Sequence, residues 1–137
     1  MRLLIVFVAL CITTHLCATP AGSVRYTDEV FTGVAIDSVL YSSPEGRALW
    51  MDIYQPAGDT AMLRPLVILA HGGSFMLGNR YSERMPALCR SLAQRGYVAV
   101  SIEYRLTNLL GMASKPGAYK NILKSVADGR AAVNWFL

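Results

Sequence analysis

Two uninterrupted apolar segments place the strongest constraint on the fold of this chain. They are PLVILAH (65–71) and YVAVSIE (97–103), both rich in branched residues and neither alternating with polar ones. A strand without alternation is buried on both faces, which is typical of a parallel sheet covered by helices. The sequence therefore predicts an α/β fold with both segments in its interior.

The residues between these segments, YSERMPALCRSLAQRG (81–96), predict a helix. Its apolar residues recur at helical spacing: Met85, Leu88, Cys89 and Leu92. Gly96 stands where a helix commonly ends in a left-handed residue. Strand, helix and strand together predict a β-α-β unit. Cys89 lies on the apolar side of the helix, so we expect a buried, inert thiol.

The flanking regions predict a hairpin before this unit and a helix after it. VFTGVAIDSVLY (30–41) and RALWMDIYQP (47–56) carry strand formers in alternation around the turn SSPEG, which favours an antiparallel pair. RLTNLLGMASKPGAY (105–119) is expected to be irregular, and a helix is expected from about Asn121 to the end. Its predicted apolar face comprises Ile122, Val126, Val133, Phe136 and Leu137.

The first 18 residues have the three-part plan of an export signal. A positive end is followed by the apolar run Leu3–Ile12 and by small, polar residues up to Ala18. The run is shorter than the ~20 residues that span a bilayer, so no stable membrane insertion is expected. We predict a signal peptide (1–18), a flexible N-terminus (19–29), one domain (30–137) and a secreted or periplasmic location. An uncleaved anchor or a buried strand is the alternative.

Charge and residue counts exclude several kinds of partner. The formal net charge is +4, with no Lys/Arg run of the kind that binds nucleic acid. Beyond the leader the chain has one cysteine, Cys89, and one histidine, His71, so no internal disulfide can form. A zinc ion requires three or four ligands, and no metal or cofactor site is expected. The sequence indicates no oligomeric state.

The loop HGGSFMLGN (71–79) lacks residues that a catalytic serine motif or a phosphate-binding loop requires. A nucleophile elbow requires G-x-S-x-G, and Met76 stands at the second glycine position. The candidate base, His71, lies on the same loop as Ser74. Gly73 and Gly78 have the spacing of a phosphate-binding loop, but Asn79 and Arg80 follow them where Lys and Ser/Thr are required.

A third interpretation uses the loop backbone. A loop at the carboxyl end of a parallel strand lies where such sheets bind ligands, and glycines let the backbone approach a substrate closely. Backbone N–H groups there can bind the oxyanion of ester hydrolysis, each well-placed donor contributing ~3 kcal/mol. A tight strand-to-helix turn without chemistry is the alternative.

Taken together, the segments resemble the N-terminal part of α/β-hydrolase esterases and lipases. The matching pieces occur in the family's order and cover most of residues 48–136: MDIYQPAGD, RPLVILAHGGSFMLGN, LAQRGYVAVSIEYRL and DGRAAVNWF. They are most similar to secreted bacterial carboxylesterases with an HGGxF oxyanion loop and a Tyr-Arg pair, here Tyr104 and Arg105. The resemblance implies hydrolysis of small-molecule or lipid esters through a serine acyl-enzyme, without a cofactor.

The resemblance also implies roles for individual residues. The oxyanion-hole donors would be the backbone N–H groups of Gly72, Gly73 and Ser74. The expected substrate-binding residues are His71, which orders the loop, and Phe75 and Met76, which line the pocket or simply pack.

Three further residues are expected to be structural. Tyr104 and Arg105 would tie their strand to the loop, and Asp128 would be a surface or helix-start charge and not a triad acid.

In the family, the triad serine, acid and histidine follow in that order, and the serine elbow comes after the helix that DGRAAVNWF resembles. We therefore expect an α/β-hydrolase domain truncated before its nucleophile, with this chain inactive alone and the full-length protein a serine esterase. A non-catalytic secreted binding module on the same scaffold, or a related serine peptidase, is the alternative.

Overall fold

The computed structural model describes residues 22–82 and 84–137, and these contain one four-stranded sheet. Its strands are β1 (Val34–Ser42), β2 (Leu49–Pro56), β3 (Leu66–Ala70) and β4 (Val98–Ile102), in the order β1-β2-β4-β3. The helices are α1 (Met85–Gln94), α2 (Leu109–Met112) and α3 (Lys115–Trp135), with a short 3-10 turn at Pro44–Gly46. The leader (1–18), and the location inferred from it, lie outside the described residues.

The predicted hairpin is confirmed: β1 and β2 pair antiparallel around the 3-10 turn. The alternation of β2 places Leu49, Met51 and Ile53 in one core cluster. On its other face Asp52 and Tyr54 are nearly inaccessible, whereas Trp50 is 39% exposed. β2 pairs antiparallel with β4 as well, so the hairpin is joined directly to the centre of the sheet.

The predicted β-α-β unit is also confirmed, since β3 and β4 are parallel and α1 connects them. Gly96 follows α1 with φ +101°, the left-handed conformation expected at its end. Burial on both faces holds for β4 but not for β3. β3 lies at one edge of the sheet formed by the described residues, and Leu66 on it keeps 39% of its surface exposed.

Two helices cover opposite faces of the sheet and create two cores. Ala132 of α3 packs with Met51, Val100 and Ile102, and Cys89 of α1 packs with Tyr54 and Ala99. Cys89 is fully buried, as expected, and this burial raises the pKa of its thiol to about 11. The thiol is therefore neutral near pH 7 and not a nucleophile.

The start of the last helix differs from the prediction. α3 begins at Lys115, six residues before Asn121, and α2 occupies part of the segment expected to be irregular. The Ser114 side chain accepts a 3.2 Å hydrogen bond from the Gly117 N–H, and Pro116 lies in the first turn. Serine as the cap and proline in the first turn are both helix-start signals, although they lie in the segment that was expected to be irregular.

The predicted buried face of α3 is also wrong. Its buried residues are Ser125, Asp128 and Ala132, whereas Val126 and Val133 are 52% and 44% exposed. Small side chains allow α3 to approach the sheet closely, and Asp128 is buried because it has a cationic partner. Hydrophobicity alone therefore selected the wrong side of this helix. Phe136 does pack against the core.

The residues before β1 are held against the end of α1. The N–H of Tyr26 donates to the Arg95 carbonyl at 2.7 Å, and that of Val30 donates to the Gln94 carbonyl at 2.9 Å. Arg25 pairs with Asp59 at 2.5 Å. The described part of the segment predicted to be flexible, residues 22–29, thus has specific partners. Each helix in the described part of the chain is too short or too polar to span a bilayer.

Candidate active site

The loop at residues 71–79 leaves the carboxyl end of β3 in a constrained conformation. Gly73 has φ +116°, and the two non-glycine residues Ser74 and Phe75 have φ +53° and +62°. The Gly73 carbonyl accepts hydrogen bonds from the N–H groups of Met76 and Leu77, both at 3.0 Å. Left-handed backbone costs roughly 1–2 kcal/mol per non-glycine residue, and such strain is found mainly at functional sites.

Glycine is required at Gly73 for space as well as for conformation. A Cβ atom at this position would lie 2.1 Å from the Leu77 carbonyl oxygen, which is backbone and cannot move aside. The tight turn therefore depends on the second glycine of HGGSF.

The turn leaves three donors available. Among the hydrogen bonds of the described residues, none pairs the backbone N–H groups of Gly72, Gly73 or Ser74 with a protein acceptor. All three residues are exposed. Adjacent exposed N–H groups can bind the oxygen of a ligand. The oxyanion-binding role of these three N–H groups stays a prediction.

His71 contacts the loop backbone, and no hydrogen bond of the described residues joins it to the Ser74 side chain. Its ring is buried, and its Nδ1 lies 2.7 Å from the Gly72 carbonyl oxygen, which only accepts, so Nδ1 carries the proton. A Cβ atom on Gly78 would lie 2.4 Å from that Nδ1. The close approach of the Gly78 backbone thus fixes the ring from the other end of the loop.

Tyr104 ties β4 to the loop, which confirms its expected structural role. Its hydroxyl donates a 2.7 Å hydrogen bond to the His71 carbonyl, and its ring stacks on the His71 ring at 4.4 Å between centroids. Phe75 meets the Tyr104 ring edge-on at 6.1 Å. Burial raises the pKa of Tyr104, so its hydroxyl remains a donor over the physiological range. The N–H of Thr107 donates to the Phe75 carbonyl at 2.8 Å and holds the outer part of the loop.

A cavity of about 390 Å³ opens beside this loop. Of the predicted site residues, His71, Gly72, Ser74 and Phe75 line it. Gly73 and Met76 belong to the same loop but are not on the cavity wall. The remaining wall comes from the ends of two strands, from Tyr104 and from one face of α3: Ala70, Ile102, Tyr104, Ser125, Val126 and Gly129. A volume above 300 Å³ is in the range of small-molecule sites.

The α3 wall was not predicted. Ser125 and Gly129 lie one turn apart on the helix, and Val126 follows Ser125. The Ser125 hydroxyl donates a hydrogen bond to the Arg105 carbonyl at 2.8 Å. Two small residues four positions apart, Ser125 and Gly129, were the available sequence signal. We had interpreted Val126 as a core residue, whereas it faces the cavity and is half exposed.

The expectation for Asp128 is wrong, because it is a buried charge in the middle of α3. Asp128 is 2% exposed and accepts from the backbone N–H of Arg105 at 2.8 Å and from its Nη2 at 2.8 Å. The hydrogen bond with Asp128 raises the pKa of Arg105. Arg105 is structural, as predicted, but it ties β4 to α3 and not to the loop.

The geometry supports neither a nucleophilic role for Ser74 nor a metal site. In residues 22–82 and 84–137, no histidine or carboxylate is hydrogen bonded to the Ser74 hydroxyl, so a nucleophilic serine would lack its base. Within the same ranges, no group of three or more His, Cys, Asp or Glu residues can hold a metal ion.

Residues 51–136 match the protein family described as BD-FAE. The chain is also similar to parts of fungal polyketide synthases. It is 36% identical over 90 residues to non-reducing polyketide synthase pkbA of Emericella nidulans, covering 64% of this chain and 4% of the synthase. It is 31% identical over 102 residues to 5-methylorsellinic acid synthase of Aspergillus terreus, covering 73% of this chain and 4% of that protein.

The fold is similar to that of Thermogutta terrifontis esterase 2. The native structure aligns with a TM-score of 0.57 at 26% identity, covering 72% of this chain and 32% of the esterase. The same esterase phosphorylated by paraoxon aligns with a TM-score of 0.57, covering 73% of this chain and 35% of the esterase. The chain thus spans about a third of that esterase. These likenesses confirm the predicted α/β-hydrolase fold, in its N-terminal part.

Proposed function

The chain belongs to the BD-FAE family, and on that basis we propose that it forms the oxyanion-binding part of a serine ester hydrolase. The esterase-like fold supports ester hydrolysis in general terms. The observation that carries the finer proposal is the loop after β3, where the N–H groups of Gly72, Gly73 and Ser74 have no protein acceptor beside a cavity of about 390 Å³.

The proposed chemistry uses these groups in the transition state. A serine attacks the carbonyl carbon of the ester. The carbonyl oxygen then becomes an anion that accepts hydrogen bonds from the loop. Because the loop is fixed before the substrate arrives, little reorganisation is needed, and each donor can contribute ~3 kcal/mol. Phe75 and Tyr104 supply an aromatic wall for one side of a small-molecule or lipid ester.

The nucleophile of this mechanism is not among the 137 residues, because they contain no G-x-S-x-G. We expect this chain alone to hydrolyse no p-nitrophenyl acetate or butyrate. We expect activity when the chain is extended by its own coding sequence through a G-x-S-x-G and the acid and histidine that follow. Turnover by the 137 residues alone would contradict the proposal, and a coding sequence that stops at Leu137 would favour a binding module.

A single substitution separates the oxyanion role from the nucleophile role of the loop. In the extended enzyme, Ser74→Ala keeps the backbone N–H and removes the hydroxyl. We expect kcat to stay within a few-fold of the wild type, whereas alanine at the serine of the G-x-S-x-G abolishes activity. Loss of activity in both variants would show that the Ser74 hydroxyl reacts.

The export signal inferred from residues 1–18 leads to a related proposal, that the protein acts outside the cytoplasm. Cell fractionation with detection of the N-terminus tests it: a mature chain beginning near Thr19 in the periplasm or medium is the expected result.

A further inference from the structure

The segment that follows β4 combines basic and apolar side chains without any acidic residue. Residues 105–124, which we call the basic apolar segment, contain four cations, Arg105, Lys115, Lys120 and Lys124, and the nearest acids are Glu103 and Asp128 outside it. Two of the cations are already paired, Arg105 with Asp128 and Lys124 with Glu45. In the described residues, no salt bridge involves Lys115 or Lys120, and both are exposed.

Three large apolar side chains of the same segment point into solvent. Leu109 and Leu110 on α2 are 76% and 84% exposed, and Tyr119 on α3 is 67% exposed. They stand on two helices that pack on each other. A group of exposed apolar side chains marks an interaction surface more often than one isolated side chain does.

The leucines are held in this position by the packing of α2. The Asn108 side chain accepts from the Gly111 N–H at 2.8 Å, which closes the helix start. Asn121 of α3 donates to the Gly111 carbonyl at 3.1 Å, which fixes α2 on α3. The contact with Asn121 is made through Gly111, and Leu109 and Leu110 stay exposed beside it.

We propose that the basic apolar segment docks on an anionic lipid surface. Leu109, Leu110 and Tyr119 would enter the headgroup region while Lys115 and Lys120 contact the anionic headgroups. Apolar side chains flanked by lysines are typical of interfacial binding, and lysines near an anionic leaflet add electrostatic attraction. The absence of acids in residues 105–124 favours a negatively charged partner, and a helix as short as α2 offers too little length to fill a protein groove.

Docking would bring the candidate active site to the lipid. The hydrogen bond from the Thr107 N–H to the Phe75 carbonyl, 2.8 Å long, joins the segment directly to the loop after β3. A chain docked through Leu109 and Leu110 would therefore hold its cavity beside the surface. The inference concerns binding alone and does not depend on ester hydrolysis.

Flotation with vesicles tests the inference, because aggregated protein stays at the bottom of the gradient. The probes are phosphatidylcholine vesicles and vesicles that also contain a quarter phosphatidylglycerol. Residues 19–137, the expected exported form, are used beside the full chain so that the apolar leader does not contribute. We expect flotation with the anionic vesicles, weak flotation with the neutral ones, and release at high salt.

Two paired variants locate the contact. Leu109→Ser with Leu110→Ser should reduce the bound fraction several-fold, and Lys115→Gln with Lys120→Gln should remove the preference for anionic lipid. The matched control is Met62→Ser with Leu63→Ser, which replaces side chains that are 97% and 89% exposed on the loop before β3. All six positions are exposed, and circular dichroism checks that each variant keeps its fold.

Three results would overturn the inference: no flotation of the unsubstituted protein with anionic vesicles, equal flotation with neutral vesicles, or an equal loss in the control variant. If the leucine variant fails to fold, the lysine variant and the salt dependence still test whether the segment binds anionic lipid. A protein that binds no vesicle but dimerises through Leu109 and Leu110 would assign the surface to a second copy of the chain.

Discussion

The hydroxyl of Tyr104 donates a 2.7 Å hydrogen bond to the carbonyl of His71, a residue 33 positions earlier in the chain. The two rings stack at 4.4 Å with an interplanar angle of 16°. One side chain from the end of β4 thus fixes both the backbone and the ring of the first residue of the candidate oxyanion loop.

Removal of this hydroxyl should loosen the loop. Tyr104→Phe leaves the buried His71 carbonyl without its donor, and we expect the free energy of unfolding to fall by about 1–2 kcal/mol. Urea unfolding followed by circular dichroism measures the change. Tyr119→Phe is the control, because Tyr119 is 67% exposed and no hydrogen bond of the described residues involves its hydroxyl. Equal stability of the two variants would contradict the structural role of Tyr104.

Neutralising Asp128 should destabilise the contact between α3 and the sheet. Asp128→Asn removes the charge that pairs with Arg105, whose side chain is 15% exposed, and we expect a loss of about 3 kcal/mol. The comparison variant is Glu45→Gln, which removes the other carboxylate near Arg105, 3.4 Å from its Nη1. Glu45 is exposed, so a much smaller change is expected in the same urea experiment. A larger loss in Glu45→Gln than in Asp128→Asn would show that the buried pair of Arg105 and Asp128 is not the main stabilising one.

A methyl group at Gly78 should disturb the ring of His71. Gly78 and Gly58 have similar φ angles of +97° and +76°, but a Cβ atom at Gly58 meets nothing within 4 Å. At Gly78 it would lie 2.4 Å from His71 Nδ1 and 2.8 Å from the Gly72 carbonyl oxygen. We expect Gly58→Ala to cost about 1 kcal/mol through backbone strain alone. The melting temperature of Gly78→Ala should be clearly lower, and similar melting temperatures would show that the loop adapts.

The pair of Arg25 and Asp59 should make stability depend on pH. The hydrogen bond from Arg25 holds the pKa of Asp59 below its ordinary value of 3.8. A depressed carboxyl pKa stabilises the fold above the unfolded value, and this contribution is lost as the pH falls through the folded value. Arg25→Gln should therefore lower the free energy of unfolding at pH 7 by about 1 kcal/mol.

The difference between Arg25→Gln and the wild type should shrink as the pH falls below about 4, because protonated Asp59 no longer needs the cation. Urea unfolding at several pH values between 2 and 7 measures this trend. Arg130→Gln is the control, since Arg130 is exposed on α3. A difference that stays constant down to pH 2 would show that the pair does not control the acid dependence.

The sheet could be predicted because its signals are local. Alternation in residues 47–56 predicted a strand with one apolar face, and the unbroken run of residues 97–103 predicted a central strand. The predicted burial of β3 on both faces was wrong, because apolar composition does not distinguish a central strand from an edge strand. The position of β3 depends on the order β1-β2-β4-β3, which joins segments that are distant in the chain.

The sequence predicted the loop of the candidate site but not the cavity wall that α3 forms opposite it. HGGSF carries a local signal, because the two glycines and the preceding strand are contiguous. Ser125, Val126 and Gly129 have no such signal, since their contribution depends on how α3 crosses the sheet. The ion pair of Arg105 and Asp128 helps to hold α3 in that position, and these two charged residues, 23 positions apart, are not part of the hydrophobic periodicity.

Local sequence predicts the hairpin, the β-α-β unit and the glycine-rich loop at the end of β3. Each of these depends on the spacing of apolar residues or on the backbone freedom of glycine, which are properties of neighbouring residues. Packing in three dimensions determines which face of α3 is buried, how Tyr104 fixes His71, and which groups surround the cavity. These features depend on contacts between residues far apart in the chain, whose burial and pairing exist only after the helices have packed on the sheet.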